Sequence, residues 1–83
     1  MHCAERLVEG GFHVYAAAIE ASDVPGFYAA VIVKHRQGAG HASEEVFRDE
    51  RLEAGTIWVS PDNALAVALF IGTAVAEEQR ERA

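Results

Sequence analysis

The sequence predicts an α+β fold: an antiparallel sheet of three or four strands covered on one face by one long C-terminal helix. Two stretches, residues 12–20 and 27–36, alternate with a period of two. A third, opening at Ser60, begins with helix-capping residues and stays apolar for several turns. With 83 residues the chain is near the lower limit for one hydrophobic core, so a single domain over 1–83 is expected.

Residues 3–9, Cys-Ala-Glu-Arg-Leu-Val-Glu, are good helix formers but meet Gly10-Gly11 before a stable length is reached. Residues 1–11 therefore read as a frayed end or one helical turn. The first strand, 12–20, sets Phe12, Val14, Ala16 and Ala18 on one side and His13, Tyr15, Ala17 and Ile19 on the other. Asp23-Val24-Pro25-Gly26 supplies turn chemistry, because proline presets φ and glycine accepts a positive one.

The second strand, 27–36, sets Phe27, Ala29, Val31 and Val33 against Tyr28, Ala30, Ile32, Lys34 and Arg36. If the all-apolar sides of both strands face inward, the outer surface carries Tyr15, Ile19, Tyr28 and Ile32 beside His13, Lys34 and Arg36. Residues 37–43, rich in glycine, read as a loop. The third strand, 45–52, is charged in the manner of an edge strand, with Val46, Arg48 and Glu50 on one side and Phe47, Asp49 and Arg51 on the other. Residues 56–59 are either a short fourth strand or an extended lead into the helix, which closes a sheet region spanning 12–59.

Ser60 is a preferred N-cap, Pro61 suits the first helical position, and Asp62 complements the helix dipole. The helix should run from there to about Arg80. Leu65, Ala68, Leu69, Gly72, Val75 and Ala76 form one apolar stripe, and Val67, Phe70, Ile71 and Ala74 widen it. A surface this wide calls for a second neighbour: the Trp58 segment, the N-terminal turn, or a partner subunit in a homodimer. Glu78 and Arg82 are spaced to pair at the solvated end.

Composition narrows the functional classes. Seven Lys and Arg against thirteen Asp and Glu give a net charge of −6, which disfavours duplex nucleic acid as a partner. A single cysteine, Cys3, allows no intrachain disulfide, and the first thirty residues lack the pattern of a secretory signal. The most apolar run, 64–76, is too short for the roughly 20 residues of a membrane span. A cytoplasmic protein without a membrane partner is expected.

No catalytic, cofactor or metal constellation emerges. His2, His13, His35 and His41 lack short ligand spacings, and His13 and His35 fall on opposite sides of their strands. Cys3 has no activating base nearby in sequence. The Gly38-Ala39-Gly40 stretch leads to a strand, whereas a phosphate loop opens into a helix. The carboxylates from Glu44 to Glu53 alternate with arginines as on a solvated face. No enzyme is expected.

Two resemblances bear on the fold. If 3–9 is helical, the order helix, three strands, helix is similar in topology to the double-stranded-RNA-binding domain. That family grips phosphates with a basic cluster at the start of its last helix, where this chain has Ser60-Pro61-Asp62-Asn63, so neither activity nor sites carry over. From about Phe12 to Ala76, the aromatic-led strand, second strand, charged third strand with Phe47 and Ala-rich helix resemble small uncharacterised proteobacterial proteins with a β-β-β-α layout. This resemblance implies a fold and no activity or cofactor.

The functional expectation is a small non-enzymatic module for protein–protein interaction or self-association. Its surface would be the outer sheet residues Tyr15, Ile19, Tyr28, Ile32, Lys34 and Arg36 or the helix flank Val67, Phe70, Ile71 and Ala74. The alternative is a regulatory protein binding single-stranded nucleic acid, its tyrosines stacking on bases and Lys34 and Arg36 holding the backbone.

Overall fold

The computed structural model of the chain describes residues 1–36 and 42–82. The expected loop at 37–43 and His41 lie mostly outside those residues. Four antiparallel strands, β1 (His2–Val8), β2 (Phe12–Glu20), β3 (Phe27–His35) and β4 (Glu44–Asp49), form one sheet in the order β1-β2-β3-β4. A short turn, α1 (Leu52–Gly55), precedes the long helix α2 (Pro61–Arg82), which packs across one face of the sheet over β1, β2 and β3.

The N-terminal segment is neither frayed nor helical. It is strand β1, paired with β2 from His2 opposite Ala18 to Val8 opposite Phe12. Gly10 and Gly11 take φ values of +99° and +85°, which turns a pair of glycines that would stop a helix into the corner of a hairpin. A strand thus stands where the helix-first arrangement would need a helix. The side chain of Arg6 donates to Thr73 Oγ1 at 3.2 Å, and Arg80 pairs with Glu9 at 3.4 Å, so the C-terminal end of β1 and the residue after it engage α2.

β2 and β3 pair along their whole lengths, from Phe12 opposite His35 to Glu20 opposite Phe27. Their inward positions Phe12, Val14, Ala16, Ala18, Ala29, Val31 and Val33 are all buried in the core, as the alternation predicts. β4 begins and ends earlier than expected. Its register against β3 shifts between Val33 and Lys34, a bulge that lets Val46 and Phe47 both pack on the core instead of facing opposite ways. Leu52, expected at the end of the strand, opens α1 instead and is buried.

The chain then returns to the same sheet edge at Trp58, which exchanges two backbone hydrogen bonds of 2.8 Å with Phe27. Residues 56–59 are therefore an approach to α2 with one bridging residue. The helix starts where the sequence places it: Ser60 Oγ accepts from the Asn63 amide at 3.1 Å, and the Ser60 carbonyl accepts from the Ala64 amide at 3.2 Å.

Spacing of four along α2 lines up Ala64, Ala68, Gly72 and Ala76, the residues that are buried against the sheet. Leu65 and Leu69 pack on one side of this ridge and Ile71 and Val75 on the other. The ridge consists of the smallest side chains, so the helix axis can settle close to Val14 and Val31. Near the C-terminus Arg82 pairs with Glu78 at 2.7 Å, as their spacing predicts. Among the described residues, no helix is long and apolar enough to cross a membrane.

Candidate functional site

With α2 on one face, the opposite face of the sheet carries the outward residues of every strand. Cross-strand pairing arranges them in rows. One row runs Glu5, Tyr15, Ile32, Arg48 from β1 to β4. The next runs Cys3, Ala17, Ala30, and the one beyond pairs Ile19 with Tyr28. On the other side of the Tyr15 row lie Leu7, His13, Lys34 and Glu45.

The two alanines at the centre make a low floor between taller neighbours. The result is a depression of about 390 Å³ lined mainly by Ala17, Ala30, Tyr15, Ile19 and Ile32, with Cys3, Glu5, Arg48 and Glu50 at its margins. Its lining is predominantly apolar, and nothing among the described residues covers it. A larger hollow of about 590 Å³ opens at the β1–β2 hairpin between His13, Gly11, Arg36 and Ser43.

Polar groups ring the depression and are mutually engaged. His13 stacks on Tyr15 with ring centroids 4.0 Å apart, and its Nε2 lies 3.1 Å from a Glu5 carboxylate oxygen. The Lys34 ammonium sits 5.6 Å from the centre of the Tyr15 ring. Arg48 donates from Nε and Nη2 to one oxygen of Glu45, at 3.1 and 2.9 Å. That hydrogen bond holds the Glu45 carboxyl below the usual glutamate range and raises the Arg48 guanidinium further above neutrality. At the far end of β3, the Arg51 guanidinium lies 4.6 Å from the centre of the Tyr28 ring.

The ten residues singled out from the sequence divide among different places. Tyr15, Ile19, Tyr28, Ile32 and Lys34 do share the open face. Tyr28 and Arg36, however, stand at opposite ends of β3, eight residues and about 27 Å apart at strand rise. Of the helix residues, Ile71 belongs with the packed ones, resting on the core. Phe70 is 74% exposed and Ala74 is exposed too, with Val67 half-buried on the flank. The helix set lies in the layer opposite the open sheet face, so the ten residues form no common surface.

The sequence reading missed the Ala17–Ala30 floor and the charged ends of the Tyr15 row, Glu5 and Arg48. Two alanines centred in alternating strands are the signal that marks the floor, but the row ends follow only once β1 is known to be a strand. The described histidines are engaged separately: His2 edge-on to Phe27, His13 with Glu5 and Tyr15, and His35 stacked on Phe12 with Nε2 3.0 Å from the Gly10 carbonyl. Among the described residues, no three His, Cys, Asp or Glu side chains converge on a point where a metal would sit.

No family model, curated protein or solved structure matches the chain.

Proposed function

We propose that the protein is a self-associating interaction module and that the open face of its sheet is the surface through which it binds. The observation that carries this reading is the Ala17–Ala30 floor with Tyr15, Ile19 and Ile32 standing around it, an apolar centre with a charged margin. Interfaces are built in this way, with an apolar core and a polar rim. α2 covers the other face, and none of the described elements lies over this one.

Binding of single-stranded nucleic acid by the same face has less support. The Tyr15 ring is stacked on His13 and attended by Lys34, and the Tyr28 ring faces Arg51, so neither ring offers an unoccupied platform. Arg36 is also a strand's length from Tyr28.

Sedimentation across a dilution series tests the proposal. A species of twice the 9.0 kDa chain mass that dissociates on dilution is expected, and Ile32→Glu should return it to 9.0 kDa with an unchanged far-ultraviolet spectrum. A constant 9.0 kDa at every concentration would overturn it.

A further inference from the structure

We propose that the occupant of the open face is a second copy of the chain, related by a two-fold axis that runs along the strands between β2 and β3, so that Glu5 of each copy meets Arg48 of the partner subunit. The inference rests on the reading of the open face as a self-association surface.

The argument comes from the row Glu5, Tyr15, Ile32, Arg48. This row is polar across the sheet, with a carboxylate at the β1 end, a guanidinium at the β4 end and apolar contact area between them. A two-fold axis parallel to the strands exchanges the ends of every row. It lays Glu5 over Arg48 of the partner subunit and Arg48 over Glu5 of the partner subunit, giving two identical ion pairs, with Tyr15 against Ile32 in the middle. An axis perpendicular to the strands through this row would instead place Glu5 over Glu5 and Arg48 over Arg48, and like charges brought together at an interface are strongly unfavourable.

Reach and remaining bonding capacity agree with this arrangement. Packed sheets stand about 10 Å apart, a gap that extended glutamate and arginine side chains span together. Arg48 uses Nε and Nη2 on Glu45, leaving Nη1 for the partner subunit. Glu5 gives one oxygen to His13, leaving the other. The same axis lays Ala17 over Ala30 of the partner subunit, so the low floors face each other and the taller Tyr15 and Ile32 of the adjoining row make the contact between the copies. The face spans about 19 Å across four strands and about 26 Å along them, roughly 500 Å² in projection. That is at the small end of specific interfaces, which bury about 800 Å² per partner, and it implies a dimer that dilution dissociates.

Within one chain Glu5 and Arg48 are three strand spacings apart, about 14 Å. Physiological salt screens exposed charges beyond about 8 Å, so any coupling between these two residues must arise between copies. A mixing experiment read by sedimentation exploits this. Glu5→Arg alone should weaken the dimer by about tenfold or more, because two like-charged contacts replace two attractive ones, and Arg48→Glu alone should do the same. An equimolar mixture of the two variants should dimerise again, since Arg at position 5 of one faces Glu at position 48 of the other and the one remaining contact, Arg48 with Glu5, is native. Restoration on mixing also shows that each variant is folded.

If the unmodified chain dimerises while Glu5→Arg dimerises equally well, or if mixing restores nothing, the two-fold arrangement is wrong and self-association uses another geometry. If the unmodified chain is a monomer at every concentration, the self-association reading falls together with the arrangement.

Discussion

Gly72 of α2 faces Val14 of β2 so closely that a Cβ added to the glycine would overlap a Val14 methyl, and it would also approach Val31 Cγ2 to 2.7 Å. By intrinsic propensity, Gly72→Ala in the middle of a helix should gain about 1 kcal/mol. Overpacking costs about 1–3 kcal/mol, so the contact outweighs the propensity. Gly72→Ala should therefore lower stability in urea unfolding, and its cost should shrink in a Val14→Ala background, where the nearer of the two obstructing methyls is gone. A stabilised Gly72→Ala protein would mean that the helix rides higher on the sheet.

The start of α2 depends on Ser60, whose hydroxyl satisfies the Asn63 amide. Ser60→Ala leaves that amide without its partner and should cost about 1 kcal/mol, a fall in melting temperature of about 4–8 °C for a domain of this size. Ser60→Asp, which keeps an acceptor and adds favourable charge at the helix N-terminus, should avoid most of that loss. Thermal unfolding followed by circular dichroism separates the two.

These two positions also show what the sequence could reveal. Ser60-Pro61-Asp62 is a local signal, and the helix begins there because capping is decided by neighbours within one turn. The inward faces of β2 and β3 were equally legible, since both strands are buried on one side and the pleat writes that burial into alternate residues. β1 was not legible. It is an edge strand with only Ala4 and Val8 even partly buried, so burial imposes almost no alternation on a segment whose residues favour helix. Its pairing is dictated by the Gly10-Gly11 corner and by β2, a tertiary effect. The open face inherits the same limit: Tyr15, Ile19, Tyr28 and Ile32 follow from alternation, whereas the row that joins Glu5 to Arg48 requires the register of all four strands.

In α1, Glu53 and Ala54 occupy the left-handed region at φ +56° and +55°. Neighbouring bonds hold them there: the Arg51 amide donates to Asp49 Oδ1 at 3.0 Å, the Gly55 amide to the Arg51 carbonyl at 3.2 Å, and the Thr56 hydroxyl to the Glu53 carbonyl at 2.7 Å. A residue with a Cβ pays about 1–2 kcal/mol for this conformation. Ala54 is exposed and packs on nothing that glycine would forfeit. Ala54→Gly should thus stabilise the protein by about 0.5–1 kcal/mol after the entropy glycine adds to the unfolded chain. Destabilisation on calorimetry would indicate that this turn is not left-handed in solution.

Glu45 should titrate below the ordinary glutamate range because the hydrogen bond from Arg48, aided by the charges of Arg48 and Lys34, favours its ionised form. The sign of the linkage follows. A carboxylate whose folded value is depressed contributes stability above its unfolded range and loses that contribution as pH falls through the folded value. Both side chains are exposed, so the effect on global stability is small and the site's own titration is the better measure. Carboxyl carbon shifts followed by nuclear magnetic resonance should give Glu45 a midpoint below that of an unperturbed glutamate, and Arg48→Gln should move it upward. Because Arg48 is also the residue proposed to meet Glu5 of a second copy, the same titration carried out above and below the association range gives a second reading. Dimerisation should bring the Glu5 carboxylate of a second copy to Arg48 beside Glu45, and this added negative charge should raise the Glu45 midpoint in the associated state. A midpoint indifferent to concentration, in a chain that does dimerise, would place Arg48 outside the interface.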